Sequence, residues 1–191
     1  MVSRLARLLL ALFGWRVDVV PPPVPRCSIV VYPHTSNWDF VIGYLAKLAA
    51  RLPFEWIGKD SLFRGPFGAM FRRMGGIPVN RRAPAGFVSQ LAREFAERPR
   101  MMRMWLAITP EGTRGYTDRW RSGFYRLALE AHVPVGLAFI DWGARVVGLT
   151  TYLELSGDEA ADLARIRAAY AGKVGKRPAL AGAIRFGGER S

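Results

Sequence analysis

Two spacings of apolar residues alternate along this chain. Ser28-Ile29-Val30-Val31-Tyr32 is a short, β-branched apolar run closed by Pro33, the pattern of a buried strand. The spacing then lengthens. Phe40, Val41, Tyr44, Leu45 and Leu48 recur at helical intervals, Ser36 and Asn37 are both suitable N-caps, and Pro53 stops a helix that runs through Leu52. Residues 54–58 read as a second short strand, and Gly75-Gly76 leads into the extended piece Ile77-Pro78-Val79-Asn80. Phe87, Leu91 and Phe95 put one apolar face on a helix over 84–98. Further strands are predicted over 104–108 and 133–140, with one or two more in 145–155. Further helices are predicted over 124–131 and 158–171, the last opened by Gly157-Asp158 and closed by Gly172. Strands alternating with helices predict a single α/β domain: a mostly parallel central sheet flanked by helices.

The N-terminus stands apart from this alternation. Leu5 to Phe13 is apolar, with Arg4, Arg7 and Arg16 around it, and is too short to cross a bilayer. It predicts a short amphipathic helix, either lying on a membrane or packed on the domain. Pro21-Pro22-Pro23-Val24-Pro25 is a stiff spacer after it, so the chain divides into 1–25 and a domain over 26–191. Residues 62–74 mix Phe63, Phe67, Met70 and Phe71 with Arg64, Arg72 and Arg73, and have no acid. That mixture suits either a membrane interface or a core.

Composition sharpens the picture in two respects. Half of the 191 residues are apolar, enough to bury a full core. Lys and Arg number 28 against 15 acids, a net charge of +13, which favours a polyanionic partner: nucleic acid, an anionic membrane or a phosphorylated substrate. A solvated basic surface is the plain alternative. Cys27 is the sole cysteine, so an intramolecular disulfide is impossible, and its place beside an apolar run makes it a buried structural thiol.

Three predicted strand ends carry chemistry. His34-Thr35-Ser36-Asn37-Trp38-Asp39 lies where a strand gives way to a helix, the place where parallel sheets bind ligands. A histidine in the turn and an aspartate in the first helical turn can meet, the carboxylate fixing the tautomer of a general base. On these residues alone a hydrogen-bonded structural turn is the stronger reading. Pro110-Glu111-Gly112-Thr113-Arg114 follows another strand and offers donors for an oxyanion or a phosphate; the alternative is a self-paired polar turn. Gly76 to Arg82 ends a third strand with Arg81 and Arg82. Two histidines and one cysteine give no metal-ligand spacing.

In order, these blocks resemble the 1-acylglycerol-3-phosphate acyltransferase superfamily of glycerolipid acyltransferases. His34 to Asp39 resembles its histidine–aspartate block, Gly76 to Arg81 its second block, and Pro110 to Arg114 its third. Val133-Pro134-Val135 stands where a fourth, proline-containing block belongs. Thr109 and Gly136 depart from the family, which usually has phenylalanine and often a second proline there. The likeness spans about residues 28–140 and is nearest to compact bacterial members.

The resemblance implies that His34 deprotonates an acceptor hydroxyl and Asp39 orients His34. Arg81, Glu111, Gly112, Thr113 and Arg114 then grip the acceptor, with Asn37 and Lys59 as further substrate-side candidates. It implies a lysophospholipid acceptor such as 1-acylglycerol-3-phosphate, with acyl-CoA or acyl carrier protein as donor and no cofactor or metal. It also implies an anionic membrane surface as partner and peripheral attachment at the cytoplasmic face of the inner membrane. Ornithine lipid and glycolipid acceptors remain open. A nucleic-acid-binding module would use the charge but leave His34 and Asp39 without a role. Against a lipid-ester hydrolase, the sequence has no Gly-x-Ser-x-Gly elbow, and Ser36 sits too close to His34 to serve as its nucleophile.

Overall fold

A computed structural model of the chain describes residues 2–79, 91, 95 and 102–187. The predicted helix over 84–98 and the site candidate Arg81 lie outside the described residues, Leu91 and Phe95 excepted.

The strands are β1 (Arg16–Val19), β2 (Arg26–Tyr32), β3 (Glu55–Lys59), β4 (Gly76–Val79), β5 (Met104–Ile108), β6 (Val135–Asp141) and β7 (Val146–Leu153). They form one sheet in the order β1-β7-β6-β2-β5-β3-β4. All neighbouring pairs are parallel except β6 and β7. The helices are α1 (Val2–Leu12), α2 (Asn37–Ala50), α3 (Gly68–Arg73), α4 (Gly123–Ala131) and α5 (Glu159–Tyr170). This is the predicted α/β domain with its N-terminal helix.

The two-residue period of β2 explains the layers. Cys27 and Ile29 point to one face, Ser28 and Val30 to the other. On the first face α1 and α2 pack, with Ala6, Leu10, Ile42, Ala46 and Ala49 closing on Ile140 and Val147. On the second face Val30, Leu106, Val135 and Leu137 meet Phe124 and Leu127 of α4 and Leu163 and Ile166 of α5. Each such side chain taken fully from water stabilises the fold by about 1.5–3 kcal/mol before entropy is counted.

One element was not expected from the sequence, and two open expectations are narrowed. Arg16–Val19 is the edge strand β1, bonded in register to Val146–Leu149, so the segment before the proline spacer is built into the sheet. The 145–155 region is one strand, β7. Residues 62–74 split by exposure: Phe63 is buried and Phe71 half-buried in an aromatic cluster with Trp56 and Phe40, whereas Phe67 and Met70 are exposed. Among the described residues, no helix is long and apolar enough to cross a membrane.

Candidate active site

The parallel strands bring their carboxyl ends to one edge. Along it, in sheet order, lie Trp142 after β6, His34 after β2, Gly112 to Arg114 after β5, and Lys59 at the end of β3. Segments up to 108 residues apart thus become neighbours only through strand order.

The first turn of α2 fixes Asp39. Ser36 is the N-cap, and with Asp39 it forms a capping box: the serine side chain accepts from the helix backbone while Asp39 accepts from the Ser36 N–H. Asp39 Oδ2 takes the backbone N–H of Thr35 and of Ser36, each at 2.8 Å, and faces His34 Nδ1 at 3.4 Å. Its other oxygen, Oδ1, accepts from the indole Nε1 of Trp142 at 2.7 Å. Asp39 is 1% exposed and His34 13%. The Nδ1 contact is longer than a formed hydrogen bond. With Nδ1 turned to the carboxylate, Nε2 is left for a substrate proton.

Glu111 does something other than the sequence led us to expect. Its carboxylate is buried at 3% exposure and turned from the pocket. Oε2 accepts from the His34 N–H at 2.7 Å and Oε1 from the Gly182 N–H at 2.8 Å. Burial raises its pKa, opposed by those two N–H groups. Glu111 is therefore a bracket. It holds the histidine backbone and ties it to the C-terminal strap, residues 171–187, which crosses the same edge. Thr35 Oγ1 accepts from the Arg177 N–H at 3.1 Å, a second tie to the strap.

A pocket of about 310 Å³ opens at His34 and Asp39. Phe40, Tyr44, Phe54, Trp56, Ile57 and Leu62 give it an apolar wall; Lys59, Thr109, Gly112, Thr113 and Arg114 give it a polar one. Gly43 of α2 opens the wall beside Val31 and Ile140. Lys59 and Arg114 are exposed, and among the described residues no carboxylate pairs with either. A histidine–aspartate pair, an apolar wall and two exposed cations meet within one cavity.

The structure thus brings His34, Asp39, Lys59, Gly112, Thr113 and Arg114 together. Asn37 is exposed in the first turn of α2 and does not line the pocket. Two residues escaped the sequence reading. Trp142 has no local signal, since it meets Asp39 from 103 positions away. Arg121 is the other: a Cβ built on Gly112 would lie 2.6 Å from its Nε, so its side chain lies across the Gly112 turn. Thr35 and Ser36, buried in the first block, serve the pair through backbone N–H groups rather than their hydroxyls. A family model described as acyltransferase matches residues 22–136, more than half of the chain. No curated protein matches the chain.

Proposed function

Since the chain belongs to the acyltransferase family, we propose that it moves a fatty acyl group from acyl-CoA or acyl carrier protein to the hydroxyl of a lysophospholipid such as 1-acylglycerol-3-phosphate, with His34 as general base. That it is an acyl-transferring enzyme follows from the family. The donor, the acceptor and the residue roles are the proposal, and the observation that carries it is the shared pocket: the His34–Asp39 pair sits where an apolar wall meets Lys59, Thr113 and Arg114.

The chemistry follows from this layout. The hydrocarbon lies along Phe40, Tyr44, Trp56 and Ile57, and the acceptor's phosphate meets Lys59 and Arg114. His34 Nε2 takes the hydroxyl proton as the oxygen attacks the thioester carbonyl. Asp39 stabilises the imidazolium that forms. The tetrahedral intermediate collapses with cleavage of the C–S bond, and His34 returns the proton to the departing thiolate. Ester and free thiol are the products, and no serine of the protein is acylated. Ser36 fits a non-nucleophilic role, because it is buried and its Oγ accepts from the Trp38 N–H.

The proposal also places the chain on an anionic membrane surface, at the cytoplasmic face of the inner membrane. Supporting this, α1 leaves Val2, Leu5, Leu8 and Leu12 more than half exposed along one face, continued by Phe13. The net charge of +13 adds attraction of about 1 kcal/mol for each Lys or Arg brought near anionic headgroups. The test is a donor–acceptor panel. Purified protein with palmitoyl-CoA should form diacyl product with 1-acylglycerol-3-phosphate faster than with uncharged monoacylglycerol. Equal rates on both would remove the phosphate from the proposal.

A further inference from the structure

His34 has two flanks built differently. The β5–β3 flank holds the apolar pocket with Lys59 and Arg114. The β6 flank holds Trp142, covered by strap residues 173–177. Direct transfer needs donor and acceptor at His34 together, so a second approach to the base is required beyond the pocket that takes hydrocarbon and acceptor phosphate. We infer that the β6 flank binds the nucleotide end of an acyl-CoA donor, with the indole of Trp38 stacking on adenine and Lys176 and Arg177 taking its phosphates. This rests on the acyl-transfer reading above and selects CoA as the donor within it.

The strap is seated firmly enough to make a site. Trp142 N–H donates to the Val174 carbonyl at 2.8 Å, and Arg177 N–H donates to Thr35 Oγ1 at 3.1 Å. Gly175 approaches block one so closely that a Cβ there would lie 2.9 Å from Thr35 Oγ1 and 3.2 Å from the Pro33 ring. Lys176 and Arg177 therefore stand on backbone fixed one residue from His34.

The side chains on that backbone match the ligand. Trp38 is 55% exposed, whereas Trp105 and Trp120 are at most 5% exposed. Lys176 Nζ lies 5.1 Å from the Trp38 ring centre and 4.5 Å from that of Trp142, which holds its charge beside the exposed indole. Lys176 and Arg177 are exposed, and among the described residues no carboxylate pairs with them. Asp141, the acid of this flank, is engaged by the backbone N–H groups of Gly143, Ala144 and Val174. An exposed aromatic ring with Lys176 over one face and Arg177 next to it, neither cation paired with a carboxylate among the described residues, suits a base linked to phosphates. The phosphopantetheine arm of a carrier protein has no base to stack. Residues 173–177 also lie beyond the family match at 22–136, so the family assignment does not speak to them.

Calorimetry with unacylated CoA on the full chain tests this without turnover, so failure here is separable from failure of the acyl-transfer reading. Lys176→Gln with Arg177→Gln, and separately Trp38→Ala, should each weaken CoA binding at least tenfold while circular dichroism stays native. In both variants kcat/KM for palmitoyl-CoA relative to palmitoyl-pantetheine should fall at least tenfold. Unchanged CoA affinity, equal losses on both thioesters, or loss of binding to phosphatidylglycerol vesicles with CoA affinity retained would each overturn the inference.

Discussion

Trp142→Phe removes one hydrogen bond from the His34–Asp39 pair while keeping an aromatic ring beneath Lys176. The indole N–H reaches Asp39 Oδ1 at 2.7 Å, and Asp39 is 1% exposed, so water does not readily replace it. A phenyl ring retains most of the edge contact that Trp142 makes with Trp15, whose ring centre is 4.9 Å away. A hydrogen bond to a charged group contributes about 1.5–3 kcal/mol, and the orphaned oxygen stays buried. Stability should therefore drop by about 2 kcal/mol, which in a chain of this size lowers Tm by about 4–8 °C. The same loss lets the carboxylate turn, weakening its hold on His34 Nδ1. If about 1.4 kcal/mol of that is felt in the transition state, kcat falls about tenfold. Trp142 does not line the pocket, so the acceptor's KM should hold. Initial rates of CoA release, with a thermal melt on the same sample, read both effects. Wild-type kcat beside a lowered Tm would make Trp142 a packing residue and refute its part in orienting the pair.

Other perturbations separate structural from chemical roles. Burial pushes the Cys27 thiol up to about 12, so at pH 8 a thiol reagent should label it only after denaturation; labelling of the native protein contradicts its 0% exposure. A pKa raised on folding contributes stability that is intact below about 9 and lost as pH climbs toward 12. Cys27→Ala should thus flatten the fall of Tm across that window. Gly112→Ala forces φ +64° on a residue with a Cβ, which would lie 2.6 Å from Arg121 Nε. Acceptor KM should rise at least threefold as Thr113 and Arg114 move, and an unchanged KM would separate this turn from acceptor binding. Glu111→Gln sets an NH₂ group against one of two buried backbone N–H groups, at a cost of about 1–3 kcal/mol. Its Tm should fall well below that of exposed Arg114→Gln, and equal melts would count against the bracket.

The elements legible in the sequence are those whose signals are local. The β2 run, the Ser36 cap and the α2 spacing specify a strand–turn–helix without reference to anything distant, and they place His34 and Asp39. The Pro110 to Arg114 turn is legible for the same reason. What was missed depends on partners far along the chain. Strand β1 is four residues long with Asp18 inside it, and only pairing with β7 makes it a strand. The motif located Glu111 but not the direction of its side chain, which is decided by the Gly182 N–H seventy-one residues later. Trp142 and the strap carry no periodicity or motif; their relation to the site arises from β6 lying beside β2. Phe63 and Phe71 carried the same ambiguity, which the cluster around Trp56 resolves toward core packing.

The most direct test of the central claim is acyl transfer by His34→Ala. The imidazole is only 13% exposed and its neighbours are held by their own backbone bonds, so the variant should fold with a near-native melt. Wild type, palmitoyl-CoA and 1-acylglycerol-3-phosphate should yield phosphatidic acid and free CoA in equal amounts. In His34→Ala both products should fall together by about a thousandfold, within the range contributed by a positioned general base. A folded His34→Ala protein that keeps more than a tenth of the wild-type rate would contradict the assignment of His34 as the base.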